Sequence, residues 1–138
     1  MSRKLETAEY KDTPEIQYSF TRAKILRVYD GDTFWVAAQH GNEIYRFNCR
    51  LYGIDCCEMK SNDIEQRQRA ITAKKYIEEK LLGKIVDIQV LNNTVYQGKM
   101  IKEKYGRLLV KIKIQDRDLA QQMIDLGLGK SYFGGTKD

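Results

Sequence analysis

Thr21 to Ile54 reads TRAKILRVYDGDTFWVAAQHGNEIYRFNCRLYGI, and its punctuation decides the fold. Ala23, Ile25, Arg27 and Tyr29 alternate with Lys24, Leu26 and Val28, the pattern of a strand whose two faces are both partly covered. Asp30-Gly31-Asp32 breaks that strand, because Asp and Gly are turn formers. Thr33 to Gln39 is rich in β-formers, and Gly41-Asn42 marks a hairpin turn. Glu43 to Ile54 then returns as a long third strand. Near its end Leu51, Gly53 and Asp55 are expected on one side, with Arg50, Tyr52 and Ile54 on the other. Three strands joined by tight turns make a meander.

Beyond the meander the period changes from two to about 3.6. Asn62 with Glu65 three residues later has capping-box spacing, and Ala70, Ala73, Ile77 and Leu81 recur as a helical stripe between Asp63 and Leu82. Gly83 ends that helix. Lys84 to Leu91 is a fourth strand and Arg107 to Ile114 a fifth, separated by a polar, basic loop from Asn92 to Gly106. Asp118 caps a second helix, Leu119 to Leu126, which stops at Gly127. The order β-β-β-α-β-β-α predicts an α+β fold: a five-stranded barrel of the oligonucleotide-binding (OB) type with helices packed on it. A split α+β sheet is the alternative, but closure into a barrel removes exposed edges.

The chain has 138 residues, 42% hydrophobic and 31% charged, which suits one soluble globular domain. Residues 1–20 are polar and mixed, with a turn signal at Asp12-Thr13-Pro14, and are expected to form a leader to a domain over 21–138. A net charge of +5 favours an anionic partner, nucleic acid first. Three cysteines do not make a disulfide framework, and with no signal-peptide-like apolar segment at the start they favour an intracellular setting. No apolar run approaches the ~20 residues of a membrane span, so no membrane partner is expected; the chain is also expected to be a monomer.

Around the turns lie groups with phosphate and metal chemistry. Arg50, Asp55 and Glu58 put one fixed cation and two carboxylates into nine residues, with Gly53 between them. A guanidinium grips phosphate in a fork, a carboxylate binds a hard metal, and a second carboxylate takes a proton from water. Asp30-Gly31-Asp32 fails as an EF-hand loop, since Phe34 and Gly41 stand at positions five and twelve where carboxylates are needed. Lys104, Tyr105 and Arg107 combine charge with an aromatic, which suits a phosphate and an adjoining base or sugar. Zinc is disfavoured, because His40 is the one histidine beside Cys49, Cys56 and Cys57.

DGDT, then RLYGID with Glu58, then YGR, in this order and at these spacings, resembles the staphylococcal nuclease family over about residues 21–130. The resemblance implies an OB-fold barrel and Ca²⁺-dependent cleavage of DNA and RNA to 3′-phosphate products. It implies that Asp32 and Asp55 bind the metal and that Cys56 lends it a backbone carbonyl. Arg50 and Arg107 match the catalytic arginines, Glu58 the general base, and Lys104 and Tyr105 the substrate-phosphate contacts. Tyr132 and Phe133 fall near the family's base-stacking tyrosine. Two departures stand out. Cys56-Cys57 replaces the common Thr-Pro before the glutamate, and the sequence after Gly127 leaves little room for the family's C-terminal helix. The alternative function is a catalytically silent OB-fold module that binds nucleic acid.

Overall fold

A computed structural model of the protein describes residues 5–103 and 105–132. Its centre is a mixed sheet closed on itself. Strands β1 (Arg22–Asp30), β2 (Thr33–His40) and β3 (Glu43–Leu51) form the expected antiparallel meander. A short strand β4 (Gly53–Asp55) follows, then helix α1 (Ile64–Leu81) and strand β5 (Ile85–Val90). The remaining elements are a two-by-two hairpin, β6 (Val95–Tyr96) and β7 (Lys99–Met100), strand β8 (Leu108–Ile114), β9 (Arg117–Asp118), helix α2 (Leu119–Asp125) and β10 (Lys130–Tyr132). The sheet order is β3-β2-β1-β5-β8-β9, and a parallel pairing of β3 with β8 closes β1, β2, β3, β5 and β8 into a barrel. This is the five-stranded OB-type barrel with two flanking helices that the element order predicts.

Three local readings need correction. The two-sided appearance of β1 comes from a register shift between Ile25 and Arg27, which turns Ala23, Ile25 and Val28 all inward. Such a bulge adds a residue to one strand and switches the face of everything after it. The long third strand is interrupted at Tyr52, where Gly53 takes φ 93° and the backbone turns into β4. Consequently Leu51, Tyr52, Gly53 and Ile54 are all buried, and the simple alternation expected there fails. The cap of α1 is Asp63, not Asn62: its carboxylate accepts from the Gln66 N–H at 3.1 Å.

The core fills from the inward faces of the meander and of β8 and from the helices. Phe34 and Val36 of β2, Leu51 of β3 and Val110 and Ile112 of β8 are fully buried, each such side chain contributing about 1.5–3 kcal/mol. Helix α1 lays Ala70, Ala73, Ile77 and Leu81 against the barrel, and the Gly83 N–H donates to the Ile25 carbonyl at 2.8 Å, tying its end to β1. The cap of α2 is Asp118, as expected, accepting from the Gln121 N–H at 3.1 Å, with Leu119, Ala120 and Met123 buried. A second cluster of Tyr52, Leu91, Ile101 and Leu109 sits under the β6–β7 hairpin, inside what reads as a plain polar loop. Before the barrel, Leu5–Thr7 and Tyr10–Asp12 form single 3-10 turns, while Tyr18 and Phe20 pack against the core.

The turn between β1 and β2 is pressed onto α1. A Cβ added at Gly31 would lie 2.6 Å from the Ala73 Cβ and 2.9 Å from the Cys56 Sγ, so no side chain fits there. Ala73 is fixed by its helix and cannot swing away. Gly31→Ala is therefore expected to lower the free energy of unfolding by about 1–3 kcal/mol in urea titrations, the usual range for overpacking. Unchanged stability would mean that turn and helix are not in contact.

Candidate active site

The site grows from Asp32, which the β1–β2 turn buries to 6% exposure. A carboxylate so far from water needs donors, and it has them. Thr33 Oγ1 donates to Asp32 Oδ1 at 3.1 Å, and the Cys56 N–H donates to Oδ2 at 2.9 Å. The Leu51 N–H donates to the Asp32 carbonyl at 2.8 Å. One residue thus joins the first turn to the end of β3 and to the residue that follows β4.

Arg50 Nη2 reaches Asp55 Oδ1 at 3.2 Å and Asp32 Oδ2 at 3.7 Å. The turn at Gly53 brings the first pair together, although plain alternation puts them on opposite faces. Strand β10 pairs antiparallel with β4, opposing Lys130 to Asp55 and Tyr132 to Gly53. That places the Arg50 guanidinium 5.5 Å from the centroid of the Tyr132 ring, within cation–π range.

Three carboxylates, Asp30, Asp32 and Asp55, crowd this corner. Burial pushes the Asp30 carboxyl up to about 7, and the hydrogen bond with Asp32 and that residue's charge add to the rise. No group of three or more His, Cys, Asp or Glu positions gathers into a metal cluster among the described residues. A cation here would rely on two carboxylates supplemented by carbonyl or water oxygens.

Arg107, just before β8, is held by Glu103. Glu103 Oε1 accepts from Arg107 Nη2 at 2.9 Å and Nε at 3.2 Å, while Oε2 accepts from the backbone N–H groups of Tyr105 at 2.7 Å and Arg107 at 2.8 Å. Its side chain is only 5% exposed. A guanidinium carries five N–H donors, so this pairing leaves others for a ligand. The Tyr105 ring lies 5.5 Å from the Arg107 guanidinium carbon. Lys104 falls outside the described residues, as does Phe133.

Glu58 lies on the loop between β4 and α1, exposed, and its carboxylate has no hydrogen-bond partner among the described residues. It borders two cavities. One, of about 550 Å³, runs past Asp30, Thr33 and Arg107 to Tyr29, Trp35 and Asn48. The other, of about 380 Å³, is bounded by Asp55, Cys57, Arg69 and Lys130. Glu58 and Arg107 thus share a cavity wall, and Glu58 and Asp55 share another. The structure gathers Asp32, Arg50, Asp55 and the Cys56 amide into one contact network, with Glu58 and Arg107 beside it.

Sequence reading passed over Glu103, Trp35 and Asn48. The one signal for Glu103 is its placement four residues before Arg107, which is also common in a solvated charged loop.

The cysteines are thiols without a partner sulfur: Cys49 and Cys56 buried, Cys57 partly so. Burial pushes Cys49 up to about 12. Burial also raises Cys56, reinforced by the negative charges of Asp32, Asp30 and Asp55. The attacking species is the thiolate, so both should be inert at pH 8. Iodoacetamide is expected to modify Cys57 first, and Cys49 and Cys56 only after unfolding, as read by peptide mass spectrometry. Rapid labelling of Cys56 in the folded protein would contradict this placement.

A family model described as staphylococcal nuclease homologue matches residues 48–137. No curated protein matches the chain. The matched span holds Arg50, Asp55, Cys56, Glu58, Lys104, Tyr105 and Arg107. Asp32 lies outside it in sequence and joins it in space through the Cys56 N–H.

Proposed function

The chain belongs to the staphylococcal nuclease family, and from that membership we propose that it is a Ca²⁺-dependent nuclease cleaving DNA and RNA to 3′-phosphate products. The observation that carries this reading is the single guanidinium of Arg50 set against Asp32 and Asp55, beside a cavity that Glu58 and Arg107 share. One cation faces two carboxylates, so the corner holds surplus negative charge. Its donors are hard oxygens, which suit Ca²⁺ rather than a thiophilic metal. Asp32, Asp55 and the Cys56 carbonyl would hold the ion. When bound, it would supply positive charge to the phosphoryl oxygens as negative charge accumulates there.

The protein's own groups divide the remaining work. Arg50 and Arg107 donate hydrogen bonds to the phosphate in fixed planar forks, which a lysine ammonium cannot reproduce. Glu103 orients Arg107 by engaging Nε and Nη2, which limits how far the guanidinium can rotate. Glu58, with no competing hydrogen bond among the described residues, accepts a proton from the water that attacks phosphorus, while the 5′ oxygen leaves. Lys104 and Tyr105 contact a neighbouring phosphate.

The test pairs wild type with Glu58→Gln on single-stranded DNA, in Ca²⁺ and in excess chelator. Wild type should cleave in Ca²⁺ and stop in chelator. Glu58→Gln keeps size and polarity but loses proton acceptance, so single-turnover cleavage should fall by about 10²–10⁴-fold with oligonucleotide affinity retained. A silent binding module would cleave in neither protein. Cleavage undiminished by chelator would remove the metal from the proposal, and undiminished cleavage in Glu58→Gln would remove that carboxylate.

A further inference from the structure

The larger cavity extends well beyond the groups needed to hold a phosphate. From Glu58 and Arg107 it runs onto the outer face of the β1–β2–β3 meander, where Tyr29, Thr33, Trp35, Asn48, Met59 and Lys60 line it. Pairing sets these side chains in rows: Thr33 opposes Arg50, Trp35 opposes Asn48, and Ala37 opposes Arg46. Phe34, Val36 and Cys49, one residue along in each strand, point into the core, which leaves Trp35 and Asn48 on the outside of the barrel.

We propose that this cavity seats the base of the nucleotide next to the phosphate held at Arg107 and Glu58, stacked on Trp35, in a single strand of DNA or RNA. This rests on the nuclease reading in one respect, that a phosphodiester occupies Arg107 and Glu58.

Four observations carry the assignment. The cavity, about 550 Å³, is within the ordinary size range of small-ligand sites and continuous with the cleft. It offers flat apolar surface: Trp35 is half-buried, Tyr29 is 58% exposed, and Met59 stands beside them. Its outer margin is cationic, with Lys60 in the lining, Arg27 opposite Trp35 on β1, and Arg46 5.4 Å from the Trp35 ring centroid. Charge beside an aromatic is what a base and its flanking phosphate require. Finally, Asn48 Oδ1 is buried without a hydrogen-bond partner among the described residues. An unmet amide oxygen is costly, and turning the amide toward a base N–H would satisfy it. Only an unpaired base can enter, because in a duplex its faces are already stacked.

The chain has one tryptophan, so its emission reports this cavity alone. The probe is an eight-residue oligothymidylate titrated into wild type and into Glu58→Gln, beside an abasic deoxyribose-phosphate strand of equal length and charge. Oligothymidylate is expected to quench the emission saturably while the abasic strand leaves it nearly unchanged. In cleavage assays Trp35→Ala should raise KM about tenfold with kcat within twofold, on the scale of losing one base stack, and Trp35→Phe should recover most of the loss. Thermal melts establish that both variants are folded. Equal quenching by the abasic strand would overturn the proposal, as would an unchanged KM in folded Trp35→Ala. Quenching by oligothymidylate without cleavage by wild type would uphold the base site and remove the nuclease reading instead.

Discussion

Everything at the open end of this barrel hangs from the buried carboxylate of Asp32. It cannot remain charged there without N–H and O–H donors. The two it recruits come from the next residue, Thr33, and from Cys56, across the break that ends β3. A single solvation requirement therefore fixes the distance between the first turn and the residue that follows β4. Arg50 is drawn to the same oxygen and to Asp55, so its guanidinium is held by electrostatics before any ligand arrives. Such preorganisation matters because a group already in place need not be reoriented as charge develops. The cost falls on Asp30, whose carboxyl is pushed up by burial and by the neighbouring Asp32.

Much of this architecture can be read in the chain, and the failures share a cause. The hairpin at Gly41-Asn42, the helical stripe Ala70, Ala73, Ile77 and Leu81, and the Asp118 cap are local signals, and each is present in the structure. Periodicity misled wherever register changed. The bulge after Ile25 and the turn at Gly53 shift side chains between faces, and neither leaves a clear mark in a pattern of apolar residues. Arg50 and Asp55 consequently meet where alternation separates them. The three motifs contain Asp32, Arg50, Asp55, Glu58 and Arg107, because turns and strand ends collect polar residues that a core would exclude. Glu103 escaped notice because its burial depends on the Tyr105–Arg107 backbone folding over it.

Two arginines flank the cleft in different ways. Arg50 is braced by carboxylates that belong to the acidic corner, whereas Arg107 is braced by Glu103, a carboxylate from its own loop. The first bracing ties the cation to whatever occupies the corner, since anything that draws Asp32 or Asp55 away must loosen Arg50. The second is independent of that corner. The cleft thus couples one cation to the acidic site and leaves the other anchored, with the aromatic rings of Tyr132 and Tyr105 each set against one of them.

Barrel closure has a further consequence, for the order in which the protein is made. The meander, with Asp32 and Arg50, forms from neighbouring segments. Arg107 arrives only when β8 slots in parallel beside β3, opposing Leu108 to Cys49 and Leu109 to Arg50. Contacts between distant parts of a chain are slow to form, because loop entropy is lost before the pairing rewards it. A nascent polypeptide that has not yet reached Arg107 holds half of the cleft, the acidic corner without its opposing arginine. Completion of the cleft is thereby tied to completion of the barrel.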